Sequence, residues 1–117
     1  MQRGLKHEWV SGTNAVAVID RVAGTVISAV PVGNGPFGLA ITPNGATVIT
    51  ANTTGNSASF ISTATNTLLG TVPVGTQPYG IATSPDGLLA YVANFASNSV
   101  SVIDVAARTV IDSIPVG

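Results

Sequence analysis

The sequence has no cysteine and few charged residues. Without cysteine there is no disulfide framework, no thiolate nucleophile and no cysteine ligand for zinc. Only 8% of the 117 residues are Asp, Glu, Lys or Arg, against about 25% in an ordinary soluble domain. Because a lone domain needs a charged, wetted surface, this composition predicts strands that are covered by protein on both faces.

The cations are scattered along the chain, as Arg3, Lys6, Arg21 and Arg108. Nucleic-acid binding depends on clustered Lys and Arg opposite phosphates, so the sequence argues against a nucleic-acid partner. The one histidine, His7, cannot assemble a usual zinc site without cysteine, and we expect it in solvent near the chain terminus. We therefore predict no metal site and no cofactor.

Long apolar runs are also missing from the sequence. A membrane-spanning helix needs about 18 or more consecutive apolar residues, and no segment approaches that length. The first eight residues include two cations but no apolar stretch, so they do not resemble a signal peptide. We predict no membrane span in this chain.

A repeat of 42 residues organises most of the sequence. Pro-Val-Gly ends at Gly33, Gly75 and Gly117, which are evenly spaced by that interval. Two further motifs recur at the same distance: Pro36-Phe37-Gly38 as Pro78-Tyr79-Gly80, and Pro43-Asn44-Gly45 as Pro85-Asp86-Gly87. Self-similarity with this period is typical of propeller blades, whereas leucine-rich repeats are shorter and kelch units longer.

One full unit predicts four short strands, at residues 37–42, 47–52, 58–62 and 67–74. Pro and Gly punctuate runs rich in Thr and Val, which favours strands over helical repeats. We therefore predict an all-β fold, a β-propeller segment of about 2.8 four-stranded antiparallel blades. The divisions are a degenerate N-terminal strand in 1–12, a partial blade in 13–33, and full blades in 34–75 and 76–117.

The sequence resembles the YVTN family of β-propeller repeats, found in surface-layer-type proteins. Five segments carry the resemblance: Tyr91-Val92-Ala93-Asn94, the weaker copy Ile49-Thr50-Ala51-Asn52, Ser99–Asp104, Pro115–Gly117 and Ser84–Gly87. His7-Glu8-Trp9-Val10 sits where an earlier copy should be and does not match, and Ser62 replaces the aspartate seen at Asp20 and Asp104. The resemblance implies a closed ring, often of seven blades, a secreted, periplasmic or cell-surface location, and no single activity.

Motifs that carry chemistry are weak in this chain. Gly33-Asn34-Gly35-Pro36-Phe37-Gly38 spells a phosphate-loop fingerprint, but Pro36 lacks an N–H and a strand follows, so we interpret it as a turn. His7-Glu8 begins like a zinc-protease helix but has Ser11 where the second histidine belongs. Asp20 and Asp104 are repeat equivalents in separate units and cannot form an acid–base pair. We predict that the chain is not an enzyme.

Four residues are predicted to be structural. Asn52 and Asn94 end strands, and such side chains usually bond nearby backbone and fix a loop. Gly45 and Gly87 supply positive φ in their turns. Asn52-Thr53-Thr54 is also a glycosylation acceptor sequence.

Aromatic residues follow a proline at the entry to the innermost strand of each full unit. We interpret Phe37 and Tyr79 as core plugs between blades, with the Tyr79 hydroxyl able to face the axis.

Loops at one side of the predicted disc are the expected binding face. The residues that we predict to bind a ligand there are Asn34, Gln77, Tyr79, Thr53 and Ser97. We predict a non-enzymatic scaffold that binds protein, peptide or glycan, within a larger protein. The alternative is that the chain is part of an oxidoreductase-like or hydrolytic propeller whose catalytic residues lie in other blades. In either case the expected partners of the chain are further blades of the same propeller or copies of the chain.

Overall fold

A computed structural model of the chain describes residues 7–11, 14–20 and 25–116. The regular elements in these ranges are eleven β-strands. Their bounds are β1 His7–Ser11, β2 Ala15–Asp20, β3 Thr25–Pro31, β4 Pro36–Ile41, β5 Thr47–Asn52, β6 Ser57–Ser62, β7 Thr67–Pro73, β8 Pro78–Thr83, β9 Leu89–Asn94, β10 Ser99–Asp104 and β11 Thr109–Pro115. Strands β4 to β7 agree with the four predicted strands to within one residue at each end.

The strands form three antiparallel sheets in which sequence neighbours pair. We call them the first blade (β1-β2-β3), the middle blade (β4-β5-β6-β7) and the last blade (β8-β9-β10-β11). The predicted all-β fold of four-stranded antiparallel sheets is confirmed by the middle and last blades.

A β-bulge recurs with the period of the sequence. The pairing of β2, β6 and β10 with the next strand shifts register just after Val18, Phe60 and Val102, which are 42 residues apart. A bulge bends its strand and increases the local twist. The three sheets therefore share this distortion as well as their strand order.

Strand β1 departs from the 42-residue spacing. Trp9 lies opposite Val18, in the position that Ile49 holds opposite Phe60. Val18 and Phe60 are separated by the full repeat length, whereas the separation between Trp9 and Ile49 is two residues shorter than the repeat. The prediction that residues 7–10 occupy the place of Tyr-Val-Thr-Asn was therefore wrong, because that place begins at Trp9 and the connection from β1 to β2 is shorter.

His7 is the first residue of β1, and its backbone pairs with Asp20. His7 thus belongs to a paired strand, and the predicted exposure of its side chain to solvent stays a prediction. The side chains of His7 and Asp20 lie outside the part of the chain that the structure describes.

The turns from the first to the second strand are built alike in both full blades. Gly45 and Gly87 each have φ 75°, a conformation that glycine adopts without steric cost. The Thr42 hydroxyl donates to Asn44 Oδ1 at 2.7 Å, and the Ser84 hydroxyl donates to Asp86 Oδ1 at 2.6 Å. The turns predicted at Pro-Asn-Gly and Pro-Asp-Gly are confirmed.

The apolar core consists of two clusters, one on each side of the middle blade. Between the first and middle blades it contains Val16, Val18, Val30, Val48 and Ile61. Between the middle and last blades it contains Ile49, Ala51, Ala58, Phe60, Ala90, Val92 and Ile103. Alternate residues of β5 and β6 thus face opposite neighbours, and both faces of these strands are covered.

Backbones approach closely where the first strands of adjacent blades meet. A Cβ on Gly38 would overlap the Tyr79 carbonyl oxygen, whereas a Cβ on Gly80 would meet only the Ala93 Cβ at 3.9 Å. Within the described residues, Gly80 has no adjacent first strand that approaches it as closely as β8 approaches Gly38. The close contact at Gly38 explains a small residue in the innermost strand.

Candidate functional site

The loops of the blades gather at the two ends of the sheets. We call residues 33–37, 53–56, 75–79 and 95–98 the loop face, because the connections between blades and those from second to third strand meet there. The hairpin turns at residues 42–46, 63–66, 84–88 and 105–108 form the opposite end, which we call the turn end.

Backbone hydrogen bonds tie each pair of neighbouring loops together within a blade. In the middle blade the Thr53 amide donates to the Gly35 carbonyl at 2.8 Å. In the last blade the Phe95 amide donates to the Gln77 carbonyl at 2.9 Å, and the Ala96 amide donates to the Thr76 carbonyl at 3.1 Å. Backbone hydrogen bonds therefore join the neighbouring loops, as they join the strands that precede them.

Two further hydrogen bonds cross from the middle blade to the last. The Thr53 hydroxyl donates to the Pro78 carbonyl at 2.7 Å, and the Gln77 amide donates to Asn56 Oδ1 at 3.0 Å. The loop face is consequently one hydrogen-bonded surface across the boundary between blades.

Three aromatic rings project from this surface, and we call Phe37, Tyr79 and Phe95 the aromatic cluster. Phe37 is 65% exposed, Tyr79 41% and Phe95 70%. The ring centroids of Phe37 and Tyr79 are 5.0 Å apart at an interplanar angle of 89°. Those of Tyr79 and Phe95 are 6.0 Å apart at 85°. Such edge-to-face pairs stabilise the rings against one another.

The prediction that Phe37 and Tyr79 plug the core was wrong. Pro36 pairs with Asn52 and Gly38 pairs with Ala51, so Phe37 is an extra residue in a bulge. A bulge re-aims the side chain that it carries. The prolines before the two aromatic residues are buried instead.

The predicted binding residues all lie on the loop face, but their surroundings differ. Asn34, Gln77, Tyr79 and Ser97 are exposed, whereas Thr53 is half-buried. The Thr53 hydroxyl is used in the bond to Pro78, so this side chain helps to build the face.

Gln77 occupies an unusual backbone conformation for its residue type. Its φ is 52°, and the residue one period earlier, Gly35, has φ 65°. Side chains other than those of Asn and Asp rarely adopt this left-handed region, because the Cβ crowds the backbone. Gln77 thus places an exposed side-chain amide at a backbone position that glycine, as at Gly35, adopts without strain.

The two strand-ending asparagines lie beneath the loop face and are buried. Asn52 Nδ2 donates to the Ser57 hydroxyl at 3.0 Å and to the Ser59 hydroxyl at 2.9 Å. Asn94 Nδ2 donates to the hydroxyls of Ser99 and Ser101 at 3.2 and 2.9 Å. The partners are therefore serine hydroxyls on the adjacent strand, and the expectation of backbone partners was wrong.

The burial of Asn52 also bears on whether the acceptor sequence Asn52-Thr53-Thr54 can be glycosylated. Asn52 is 0% exposed, so its amide nitrogen is inaccessible to a glycosylating enzyme in the folded chain.

The phosphate-loop fingerprint at residues 33–38 forms a turn that leads into strand β4. The interpretation as a turn is confirmed, because the helix N-terminus that such a loop requires is replaced by a strand. Among the described residues, no three His, Asp or Glu side chains are grouped so that they could hold a metal ion. Nor does the described part of the chain include a helix able to cross a membrane.

A groove of about 510 Å³ lies at the turn end, between residues 42–47 and 86–88. Asn44 Oδ1 accepts hydrogen bonds from the Thr42 hydroxyl and the Ala46 amide. Asp86 Oδ1 is bonded in the same way by the Ser84 hydroxyl and the Leu88 amide. These two oxygens hold their own turns together.

Solved structures of β-propeller proteins resemble this chain. Hydrazine synthase from Kuenenia stuttgartiensis matches with a TM-score of 0.88 and 29% identity over 92% of this chain. Dihydro-heme d1 dehydrogenase NirN matches with a TM-score of 0.84 and 21% identity over 95% of it. AztD from Citrobacter koseri matches with a TM-score of 0.79 and 13% identity over 97% of it. No protein-family model and no curated relative matches the sequence.

The matches cover only part of each neighbour. The chain spans 32% of the hydrazine synthase chain, 24% of NirN and 32% of AztD. With three stacked antiparallel sheets, this coverage defines the chain as a segment of a β-propeller.

Sequence reasoning missed Phe95 as a functional candidate. It stands one period after Thr53, in a loop that is otherwise polar and small. Comparing the two units position by position would have found it, because an aromatic residue replaces a hydroxyl only in the last blade.

Proposed function

We propose that this chain is a non-enzymatic propeller segment whose loop face binds a partner molecule. The observation that carries the proposal is the aromatic cluster, exposed on loops that are hydrogen-bonded within and between blades. Ligand contacts are commonly placed on loops that a rigid scaffold positions. Side chains that are held before binding lose little conformational entropy when a partner binds.

The proposal is tested by probing arrays of peptides and of glycans with the labelled chain. A loop-face variant replaces Asn34 and Gln77 by Gly, and Tyr79 and Phe95 by Ser. A control variant replaces the exposed Leu88, at the turn end, by Ser. We expect the loop-face variant to lose the array signals and the control to keep them.

Array signals that are the same for the original chain and the loop-face variant would contradict the proposal. Circular dichroism spectra and thermal midpoints of both variants check that the comparison is between folded proteins.

We also propose that the chain belongs to the YVTN-type repeats and acts in an extracytoplasmic protein. Its motif order and the bulges at a constant period support the first statement, and the resemblance supports the second. Further blades of the same propeller are the partners that we propose for the sheet faces. Mass spectrometry of the protein from its native source, separated into cytoplasmic and extracytoplasmic fractions, tests the location.

An enzyme segment is the second candidate, and the similarity to hydrazine synthase at 29% identity favours it. In that case the catalytic residues belong to blades other than those described here. The flanking reading frame separates the two candidates, since histidine ligands or a haem-attachment Cys-x-x-Cys-His would lie there.

A further inference from the structure

We infer that the aromatic cluster, together with Gln77, is a binding site for a neutral carbohydrate chain. This inference rests on the proposed function, because it names the ligand class of the same loop face. Sugar rings would lie against Phe37, Tyr79 and Phe95, and a sugar hydroxyl would bond the Gln77 amide.

The exposure of Phe37 is a property of its position. Phe37 belongs to the middle blade, which has a neighbour on each side, and the buried core residues of that blade, such as Ile49 and Phe60, are 0% exposed. Phe37 is nevertheless 65% exposed, and Tyr79 repeats the arrangement one period later. The middle blade buries the apolar side chains of β5 and β6 but holds this aromatic ring of β4 out of the core.

The backbone of Gln77 supplies an independent observation. The loop needs a left-handed residue at this position, since Gly35 has the same conformation in the preceding unit. Strained residues of this kind persist where the surrounding structure fixes them, and they cluster at ligand sites. Gln77 is exposed, its carbonyl anchors the Phe95 amide, and it precedes Pro78-Tyr79. The Gln77 backbone is therefore linked to the residues that carry two of the three rings, Tyr79 and Phe95.

The chemistry of the surface selects the ligand class. The loop face contains no Asp, Glu, Lys or Arg, so it offers nothing to a phosphate, a carboxylate or a charged peptide. It presents three exposed aromatic rings, together with amides and hydroxyls from residues such as Asn34, Thr54 and Gln77. Aromatic faces are electron-rich and attract the weakly positive C–H groups of a sugar ring. Projecting rings suit an extended chain better than a small ligand that needs a concave pocket.

The test is a calorimetric titration of the 117-residue chain with neutral oligosaccharides. The ligands are cellohexaose, xylohexaose, chitohexaose and maltohexaose. Tyr79→Ala and Phe95→Ala remove rings, Gln77→Gly removes the amide, and Leu88→Ala removes an equally exposed apolar side chain at the turn end. We expect at least one oligosaccharide to bind. Each ring substitution should weaken that binding by roughly tenfold, the effect of losing one stacking contact, and Leu88→Ala should not change it.

Gln77→Gly separates ligand binding from folding. It should weaken oligosaccharide binding while the thermal midpoint stays level or rises, because glycine relieves the left-handed strain. Binding that survives both ring substitutions, or that falls only when the thermal midpoint falls, would overturn the inference.

A peptide library that binds through the loop face while the oligosaccharides do not bind would also overturn the inference. That outcome would leave the proposed function standing. Array signals independent of the loop face would instead remove the proposed function itself.

Discussion

The middle and last blades have the same strands, the same bulges and the same turns, but they differ in burial. Ile49 in the middle blade is 0% exposed, and Tyr91, one period later, is 38% exposed. Strand β5 is buried almost throughout, whereas its counterpart β9 is exposed at Tyr91 and Ala93. Burial in this molecule therefore depends on the neighbouring blade more than on the strand's own sequence.

The polar interior differs between the two blades in a second way. Asn52 Oδ1 accepts a hydrogen bond from the Thr50 hydroxyl at 3.0 Å, and Asn94 Oδ1 is buried without a protein partner. The residue one period after Thr50 is Val92, which cannot donate. One substitution within the repeat thus leaves the same asparagine satisfied in one blade and unsatisfied in the other.

The largest difference in the free energy of unfolding is expected between Ile49→Ala and Tyr91→Ala. Truncating the buried Ile49 should lower the free energy of unfolding by about 3 kcal/mol, through lost burial and a cavity. Truncating the half-exposed Tyr91 should cost less than about 1 kcal/mol. Urea unfolding followed by circular dichroism measures both, and equal losses would break the comparison.

The next effect compares glycines that are one period apart. Gly38→Ala should lower the free energy of unfolding by about 2 kcal/mol, because the new Cβ overlaps the Tyr79 carbonyl and the blades must separate. Gly80→Ala should change it by less than about 0.5 kcal/mol. Thermal unfolding of both variants is the measurement, and a Gly38→Ala chain as stable as the parent would contradict the crowding of β4 against β8.

A smaller change in the free energy of unfolding is expected when Thr50 and Val92, the equivalent residues beside Asn52 and Asn94, are exchanged. Thr50→Val leaves Asn52 Oδ1 without a partner and should cost about 1 kcal/mol. Val92→Thr gives Asn94 Oδ1 a donor and should raise the free energy of unfolding by about 0.5 kcal/mol, since the hydrogen bond exceeds the lost methyl burial. A destabilising Val92→Thr substitution, measured by urea unfolding, would contradict this account of Asn94.

The smallest effect is a pH dependence of stability that arises from Asp86 in the last blade. Hydrogen bonds from the Ser84 hydroxyl and the Leu88 amide lower the pKa of Asp86 below its ordinary 3.8. A lowered folded-state pKa gives stability that is complete above the unfolded value and is lost as pH falls through the folded one. Asp86→Asn, which copies Asn44, should therefore flatten the acid limb of the stability curve below pH 3.8. Urea midpoints between neutral pH and the acid limb check this, and an unchanged limb would show that Asp86 contributes nothing.

Much of the fold follows from the sequence because its signals are local and repeated. Pro-Asn-Gly and Pro-Asp-Gly fix their turns, and Thr- and Val-rich runs between them form strands whose ends follow the period. The register of β1 could not be predicted in this way, because the shorter connection after Ser11 shifts Trp9 by two residues without any motif to mark it.

The candidate site was harder to predict, since it depends on irregular backbone. Phe37 was predicted to plug the core because it enters the innermost strand after a proline, but the bulge between Pro36 and Gly38 turns that side chain outward. Likewise, the partners of Asn52 depend on the register of the adjacent strand, which brings Ser57 and Ser59 within reach. The position of the loop face followed from the repeat, whereas the contact between Phe95 and Tyr79 depends on how the loops fold over one another.

The central claim is that each blade is stabilised by the blade beside it. The most direct test extends the chain at Gly117 with a second copy of residues 76–117 and measures the cost of Tyr91→Ala in that longer chain. The account predicts that this cost rises to about 3 kcal/mol, the value expected for a buried core residue such as Ile49. A cost that remains below about 1 kcal/mol, as expected for an exposed residue, would contradict it.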